Sequence, residues 1–152
     1  MNSKDNILAH ITIRNFRIDD YDALISLWEE ADIPFKPKGR DSHERIAAEI
    51  DRGIAIFLVV ELDDRIIGAV LGTHDGRKGW INRLVVSPAY RKHGVATLLV
   101  QKVEKLLSDQ GIGIFACLIE NWNTNSHQFF ERLGYRSFKE ITYYTKRTFE
   151  DI

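Results

Sequence analysis

Apolar and polar residues alternate, or form short β-branched runs, in six segments of this chain, and such patterns are typical of strands. Turn signals such as "DD" at 63–64 and "HDGRKG" at 74–79 separate neighbouring segments and favour hairpins between them. The last segment, "YRSFKEITYYTKR", alternates enough for one strand or a bent pair. We therefore predict strands at residues 10–16, 54–62, 65–73, 80–87, 113–120 and 135–147.

A period near 3.6 residues replaces this alternation in four other segments and predicts amphipathic helices. Asp19 or Asp20 can cap the first helix, and Asp41 with Glu44 forms a D-x-x-E capping box for the second. A glycine follows each of the last three, where a left-handed residue commonly ends a helix. The predicted helices are residues 21–31, 41–52, 94–109 and 124–133, and the glycines are Gly53, Gly111 and Gly134.

The order of these elements predicts one α/β domain. The strands between residues 54 and 87 form an antiparallel meander, whereas the strand–helix–strand unit at 80–120 requires a parallel pair. The sheet is therefore mixed and mostly antiparallel, with one parallel βαβ crossover and about four flanking helices. We expect the domain to cover residues 10–152, after a flexible tail at residues 1–9.

Composition excludes several classes of function. With 152 residues, 44% of them hydrophobic, the chain can build a core, and no apolar run is long enough to span a membrane. A net charge of −1 argues against a general nucleic-acid or membrane binder. The N-terminal residues lack the basic and apolar regions of a signal peptide, so we expect a cytoplasmic protein.

Residues that commonly carry metal or nucleophilic chemistry are sparse. His74 and His93 belong to a scattered set of five histidines with no close ligand pair, so we expect no metal. The single cysteine, Cys117, lies in the apolar run "IFACLIE" and is expected to be a buried structural thiol.

The charges are unevenly distributed along the chain. Residues 1–64 hold 8 basic and 14 acidic side chains, a charge of −6, and residues 65–152 hold 13 and 8, a charge of +5. Chance placement on a solvated surface explains this as well as a functional division does. In the functional interpretation, an acidic half faces a cationic substrate and a basic half an anionic one.

The segment "SPAYRKHGVAT" at 87–97 joins a predicted strand to a helix. Pro88 favours departure from the sheet, and Gly94 leaves room for another group at the helix start. The first-turn amides lack helical partners and lie at the positive end of the helix dipole, so a phosphate or pyrophosphate could bind them beside Arg91 and Lys92. On these residues alone, a plain loop–helix junction is the simpler explanation, since neither glycine-rich nucleotide fingerprint is present.

Two longer stretches carry a resemblance to a known family. "LVVSPAYRKHGVATLLVQKVE" resembles motif A of the GNAT N-acetyltransferase superfamily, and "NTNSHQFFERLGY" resembles the later N-x-x-A-x-x-[FL]-Y-x-x-x-G-[FY] motif. Both occur in the family's order, and the resemblance extends over about residues 10–148. It implies acetyl transfer from acetyl-coenzyme A to a primary amine by direct attack in a ternary complex, without a metal.

The resemblance also implies where the donor binds. Amides of the 91–97 segment cradle the pyrophosphate, and the backbone of 84–86 pairs with the pantetheine, which needs a splay between strands 80–87 and 113–120. Asn123 touches the same arm, and it can also cap helix 124–133. The expected cofactor-binding residues are Leu84, Val85, Val86, Arg91, Lys92, His93, Gly94, Val95, Ala96, Thr97, Asn123 and Phe130.

One departure from the family pattern affects the general acid. The family often has a tyrosine where this chain has Phe130, which cannot protonate the leaving thiolate. Other hydroxyls nearby in sequence are Tyr135, Tyr143 and Tyr144. A coenzyme A thiol is already a fair leaving group, so a dedicated acid would contribute little.

The general base is the second catalytic question. Glu120 is the only carboxylate on strand 113–120, and a role as base and a role as solvated strand end have equal weight. Asn82 could instead hold a water molecule that relays the proton. A strand amide near Val86 would stabilise the carbonyl oxygen.

The resemblance places the amine-bearing acceptor, a small molecule or a peptide or protein, near "WEEADIPFKPKGRDSHE" and "GTHDGRKGW". Their acids could attract a cationic amine or form an ordinary solvated face; they are Glu29, Glu30, Asp32 and Asp75. The sequence leaves the acceptor and the oligomeric state open, and a homodimer would form through the last strand.

Two rival functions remain. Phe130 and the absence of a carboxylate in "WINRLVV" are compatible with a non-catalytic acyl-coenzyme A binding or sensing module of the same fold. An interaction domain without any cofactor is the second rival, and binding of acetyl-coenzyme A would exclude it.

Overall fold

A single five-stranded sheet organises the molecule. The computed structural model describes residues 3–152, with side chains from residue 7 onward. The strands lie in the order β1-β2-β3-β4-β5, and every neighbouring pair is antiparallel except β4 with β5. This confirms the mixed sheet with one parallel crossover. The strands are β1 Thr12–Asn15, β2 Ile56–Leu62, β3 Arg65–His74, β4 Gly79–Val86 and β5 Phe115–Ala116.

The helices cover both faces of this sheet. The four predicted helices are present, and α1 is an addition, since it occupies most of the segment that was expected to be a flexible tail. Its apolar residues follow no amphipathic period, although Ile7 packs against the core. Residues 1 and 2 lie outside the described residues. The helices are α1 Ser3–His10, α2 Tyr21–Glu30, α3 His43–Asp51, α4 Val95–Asp109 and α5 Thr124–Arg132.

The capping-box prediction for α3 was wrong, and at α2 Asp20 holds the predicted N-cap position but its side chain makes no cap hydrogen bond. Ser42, one residue later than predicted, caps α3, and its Oγ accepts a hydrogen bond of 3.2 Å from the Arg45 amide. The carboxylates of Asp20 and Asp41 instead bind arginines from the sheet, Arg14 and Arg83. Each carboxylate gains a cationic partner in this way, and serine caps a helix as well as aspartate does.

Two apolar clusters lie on opposite faces of the sheet. Helix α4 covers one face, where Leu99, Val103 and Leu107 are fully buried. Helices α2 and α3 cover the other, where Trp28 is 1% exposed. A side chain on Gly79 would come within 2.5 Å of Leu107, so the close approach of α4 requires glycine there.

The last two predicted strands were overestimated. Strand β5 has two residues rather than the eight of 113–120, and no strand forms in 135–147 among the described residues. Large side chains of this C-terminal segment stay exposed, including Ile141 at 74% and Tyr144 at 88%. Alternation signals that a segment suits a sheet, but a strand forms only where a partner edge meets its backbone.

Candidate functional site

The centre of the candidate site is a β-bulge in β4. Between Leu71 and Ala69 strand β3 advances two residues, whereas β4 advances three, from Asn82 to Val85. Arg83 adopts a left-handed φ of 55° within this extra step. The bulge interrupts the regular alternation of side chains along the strand. Two residues an even number of positions apart, one on each side of the bulge, therefore point to opposite faces of the sheet.

The strands on the other side of β4 separate at the same level. Strand β5 pairs with Gly79 and Trp80 only. Residues 82–86 therefore have no described strand beside them on that side, and they form a short edge of β4 without a strand partner, here called the free edge. The predicted splay between the two parallel strands is present, and an extended ligand could add to this edge as a strand would.

The free edge leads into the loop before α4. Lys92 and Gly94 have left-handed φ angles of 65° and 88°, and Gly94 is the N-cap residue of α4. The first helical hydrogen bond of α4 runs from the Leu98 amide to the Gly94 carbonyl oxygen. The amides of residues 95–97 consequently have no partner within the helix, and with the nearby left-handed turns they form a concave donor surface for an anion.

Two further observations fit an anion at this loop. A side chain at Gly94 would find only Leu8 within 4 Å, at 3.7 Å, so the space above this glycine is open. The Nδ1 atom of His93 is buried and has no hydrogen-bond partner. The Arg91 Nε atom donates to the Val86 carbonyl oxygen at 3.2 Å, which fixes one cation between the strand and the loop.

The start of α5 lies after the separated strand β5. Asn123 caps α5, with its Oδ1 accepting from the Ser126 amide at 3.2 Å, as the structural alternative predicted. The Glu120 side chain is exposed, while its carbonyl oxygen accepts from His127 Nε2 at 3.0 Å. The Glu120 carboxylate is therefore accessible to a ligand, and its backbone is held by the helix start.

The aromatic residues at the end of α5 are structural. Phe130 is 7% exposed and makes edge-to-face contacts with Phe129 and Tyr135. The Tyr135 hydroxyl donates to Glu104 at 2.7 Å, and burial followed by this hydrogen bond raises the pKa of Tyr135 far above its ordinary value. A proton that is held this tightly is poorly suited to general acid catalysis at neutral pH.

The other proposed acids and nucleophiles differ from each other in accessibility. Tyr143 and Tyr144 are 69% and 88% exposed on the C-terminal segment. Cys117 is half-buried, and desolvation raises the pKa of its thiol to about 11. At neutral pH the thiol stays protonated, which makes it a poor nucleophile.

Acidic side chains line an open groove between α2 and the β2–β3 turn. Glu30 contributes to this groove, and its carboxylate accepts a hydrogen bond of 2.9 Å from the buried Ser87 hydroxyl. Asp75, by contrast, accepts bonds from the Arg77 and Lys78 amides of its own turn. The acids of the groove are Asp19, Asp20, Glu30, Glu61 and Asp64.

The loop between α2 and α3, residues 31–42, is bound to the bulge by contacts that the sequence did not indicate. Arg83 Nη2 lies 2.6 Å from Asp41 Oδ2, its Nη1 donates to the Pro34 carbonyl oxygen, and its guanidinium lies 4.9 Å from the centre of the Trp28 ring. No spacing rule connects residues 34, 41 and 83, so only the fold reveals this cluster.

Neither a metal centre nor a membrane span is found in the described part of the chain. No group of three or more His, Cys, Asp or Glu side chains is arranged to hold a metal ion there. His74 contacts Gln110 at 2.8 Å and accepts from the Gly76 amide. Within residues 3–152, no helix has the length and apolar character needed to cross a bilayer.

Comparison with known proteins identifies what this arrangement is similar to. Residues 21–135 match the model of the Acetyltransferase (GNAT) family. A curated acetyltransferase of Pectobacterium atrosepticum is 33% identical over 141 residues, which cover 91% of this chain and 96% of that protein.

Two solved structures have the same fold. PaiA N-acetyltransferase of Thermoplasma acidophilum, in complex with coenzyme A, has a TM-score of 0.72 at 22% identity, over 81% of this chain and 87% of its own. The aminoglycoside N-acetyltransferase AAC(6')-Iy, with a bisubstrate analogue, has a TM-score of 0.75 at 20% identity, over 91% and 99%.

Proposed function

The chain belongs to the Acetyltransferase (GNAT) family, and on that premise we propose that it transfers an acetyl group from acetyl-coenzyme A to a primary amine. The observation that carries this proposal is the continuity of the bulged β4, its free edge and the N-terminal amides of α4. A long anionic thioester needs these features in this order: strand-edge groups for the amide arm and first-turn amides for the pyrophosphate.

The donor would bind along this continuous surface. Amides of Arg91–Thr97 would hold the pyrophosphate, and the unpaired Nδ1 of His93 is an additional polar group in the same loop. The edge of Leu84–Val86 would bind the pantetheine, with Asn123 across the gap. Phe130 would support this wall from the core, since its ring is buried. Acetyl-coenzyme A supplies the activated acetyl group as a thioester.

We propose direct attack by the amine, without an acyl-enzyme. Cys117 is the only thiol of the chain, and its raised pKa leaves it protonated at neutral pH. The residues of this chain would act by orienting the amine and by accepting its proton. An amide near Val86 would stabilise the negative charge on the carbonyl oxygen.

The proton of the amine would leave through Glu120 or through a water molecule held by Asn82. The Glu120 carboxylate is exposed beside the α5 N-terminus. Asn82 is half-buried next to the bulge. A general base must reach the amine directly or through one water molecule, and these two side chains flank the separated strands.

A cationic amine is the favoured acceptor because acids cluster on the α2 side of the sheet. The groove between α2 and the β2–β3 turn contributes five carboxylates, of which Arg14 already pairs with Asp20 and Glu61. Related folds include AAC(6')-Iy, which was solved with an acetylneamine conjugate. From that enzyme we extend to this chain only the chemical class of the acceptor, an amine with neighbouring positive charge.

The experiment that tests this function measures two quantities on the same protein. Calorimetry with acetyl-coenzyme A measures donor binding, and release of free thiol measures transfer to spermidine, neamine, L-lysine and a tripeptide. We expect donor binding in the micromolar range and thiol release that depends on the amine. Absence of donor binding at high micromolar concentration would refute the proposal.

A non-catalytic acyl-coenzyme A sensor is the second candidate. The buried Phe130 in place of a tyrosine, and the commitment of the Tyr135 hydroxyl to Glu104, favour it. Tight donor binding together with no thiol release on any of the four amines would support the sensor and exclude the enzyme.

We also propose a cytoplasmic protein that forms a homodimer through its C-terminal segment. This segment exposes Phe138 and Ile141 at 70% and 74%, and β5 has no described strand on its outer side. Pairing of the segment with the β5 edge of a second copy would cover these exposed side chains and give β5 a strand partner. Light scattering should give twice the 17.6 kDa chain mass, and Ile141→Asp should reduce it to the monomer.

A further inference from the structure

The side chain of Arg83 connects the loop of residues 31–42 to β4, while Ala31, Ile33 and Phe35 of the same loop pack on the apolar cluster beneath α2 and α3. We propose that Arg83 is a positioning residue that sets the location of this loop and thereby controls binding of the acceptor, while the donor surface stays unaffected. This inference rests on the proposed function, because it assigns the loop to the acceptor side of the same site.

The direction of the Arg83 side chain follows from the bulge. Ile81 belongs to the cluster beneath α4, and Val85 belongs to the cluster beneath α2 and α3. In a regular strand, Ile81, Arg83 and Val85 would all point to the same face of the sheet. Ile81 and Val85 point to opposite faces here, so Arg83 cannot share a face with both. The bulge resolves the conflict and leaves Arg83 facing Trp28 and the loop.

The left-handed backbone at Arg83 needs compensation. A non-glycine residue in this conformation is strained and persists only where its surroundings stabilise it. The surroundings here are the Asp41 carboxylate, the Pro34 carbonyl oxygen and the Trp28 ring. Arg83 is therefore a constrained residue rather than a solvated surface cation.

Asp41 connects Arg83 to the rest of the loop through further hydrogen bonds. Its Oδ2 also accepts from the Lys36 amide at 2.7 Å, and its own amide donates to the Lys36 carbonyl oxygen at 3.1 Å. The Tyr21 hydroxyl donates to the Asp41 carbonyl oxygen at 2.8 Å. The Asp41 carboxylate thus closes the loop on itself and connects it, through Arg83, to β4, while the Asp41 carbonyl oxygen connects the loop to α2.

The charges around the pair explain why both members are needed. Asp41 is 6% exposed, so loss of Arg83 would leave a nearly buried carboxylate without its counter-ion. Burial lowers the pKa of Arg83, Asp41 opposes this effect, and the neighbouring Arg40 adds to it. An arginine stays charged throughout the working pH range, so the contact is not a pH switch.

The hydrogen-bond partners of the guanidinium indicate that Arg83 positions the loop of residues 31–42. Nη1 binds Pro34 and Nη2 binds Asp41, so both terminal nitrogens are engaged within the protein. These contacts use two of the five N–H donors of the guanidinium and fix its orientation toward the loop. We therefore assign Arg83 to the geometry of the loop and not to direct contact with the reacting atoms.

The experiment compares Arg83→Gln with the control Arg77→Gln, in which the same change is made at an exposed arginine of the β3–β4 turn. Calorimetry measures affinity for acetyl-coenzyme A, and kinetics measure kcat and KM for whichever of spermidine, neamine, L-lysine and the tripeptide is acetylated best. Hydrogen exchange measures protection of the amides in residues 31–42.

For Arg83→Gln we expect at least tenfold faster exchange in residues 31–42 and at least tenfold higher acceptor KM. Donor affinity should stay within twofold, and Arg77→Gln should change nothing. Arg83→Lys should recover part of the acceptor affinity because it restores the charge opposite Asp41. A double variant Arg83→Gln/Asp41→Asn should be less impaired than the sum of the single variants, because it removes the stranded carboxylate.

Several results would overturn the inference. Unchanged loop protection in Arg83→Gln would show that Arg83 does not hold the loop. Faster exchange with an unchanged acceptor KM would show that the loop does not bind the acceptor. Parallel loss of donor affinity would indicate a general structural defect.

Failure of the proposed function gives a different pattern from failure of this inference. If the unmodified protein does not bind acetyl-coenzyme A, the function is wrong, and the exchange measurement still decides whether Arg83 positions the loop. If none of the four amines is acetylated, unchanged protection of residues 31–42 again overturns the role of Arg83, and faster exchange supports it.

Discussion

The two sides of the candidate site consist of different kinds of groups, backbone groups on the proposed donor side and side chains on the proposed acceptor side. On the donor side, a strand edge, a bulge and the first turn of α4 present backbone groups. On the proposed acceptor side, Arg83 from a distant part of the chain pairs with Asp41 of the loop of residues 31–42. Backbone features follow from local sequence, whereas long-range side-chain pairs depend on the finished fold. Apart from its bulge, the proposed donor side can therefore be inferred from sequence, and the contacts of the proposed acceptor side cannot.

The largest expected effect tests the backbone character of the donor side. Gly94→Glu places a side chain and a negative charge above the amides of α4, and it forces a non-glycine residue into a φ of 88°. We expect affinity for acetyl-coenzyme A to fall about 100-fold, or roughly 3 kcal/mol, in calorimetry.

A matched control separates strain from loss of the anion site. Gly76 has the same φ of 88° in the exposed β3–β4 turn, and Gly76→Glu introduces the same residue there. We expect similar destabilisation in thermal unfolding but unchanged donor affinity. Equal loss of affinity in both variants would show that the anion does not bind at Gly94.

Glu120→Gln tests whether catalysis uses a side chain beside the donor edge. If Glu120 is the general base, kcat should fall by about 100-fold, and the acidic limb of the pH–rate profile should disappear. Donor affinity should stay unchanged because the amide keeps the size of the side chain. An intact profile would exclude Glu120 and leave the water held by Asn82 as the acceptor of the proton.

Asp20→Asn tests whether the groove acids near α2 stabilise the fold rather than bind the amine. The hydrogen bond from Arg14 is the main cause of the lowered pKa of Asp20. Stabilisation from this pair is present above the unfolded pKa of about 4 and is lost as the pH falls through the lower folded value. We expect a loss of about 1 kcal/mol at pH 7 and a flatter acid limb in chemical denaturation.

The acceptor KM of Asp20→Asn shows whether this residue also binds the amine. Acceptor KM should remain within twofold in Asp20→Asn, because the Arg14 guanidinium already occupies this carboxylate at 2.7 and 2.9 Å. A large rise in acceptor KM at unchanged stability would instead identify Asp20 as a residue that binds the amine.

Cys117→Ala should have the smallest effect. Burial raises the pKa of this thiol to about 11, so the thiolate is scarce at pH 8. We expect kcat within twofold of the unmodified protein, and alkylation by iodoacetamide at least about tenfold slower than that of a free cysteine. A variant without activity would point to an acyl-enzyme and overturn the direct attack.

The sequence predicted the central elements because their signals are local. Period and turn residues located β2 to β4 and α4, and Gly111 and Gly134 ended helices with φ angles of 84° and 95°. Asn123 was predicted as a cap and is one. Each of these features depends on residues within a few positions of one another.

The features that the sequence did not predict depend instead on residues that are far apart in the chain. The competition between Ser42 and Asp41 for the start of α3 was decided by Arg83, which lies 41 residues beyond Ser42. The alternation in 135–147 could not reveal whether a partner edge is available. The bulge at Arg83 was invisible because a left-handed arginine leaves no mark in the hydrophobic pattern.

The bulge in β4 also determines which kinds of genetic change the chain tolerates. Deletion of Arg83 would let β4 advance two residues where β3 also advances two, so the bulge would disappear. Leu84, Val85 and Val86 would keep their faces and their pairing with β3. The contacts of the Arg83 side chain would be lost, but the strand would still enter the loop before α4 in the same orientation. Scanning by single-residue deletions should therefore find a smaller loss of function at Arg83 than at Ile81 or Val85, whose deletion removes a buried side chain from one of the two apolar clusters.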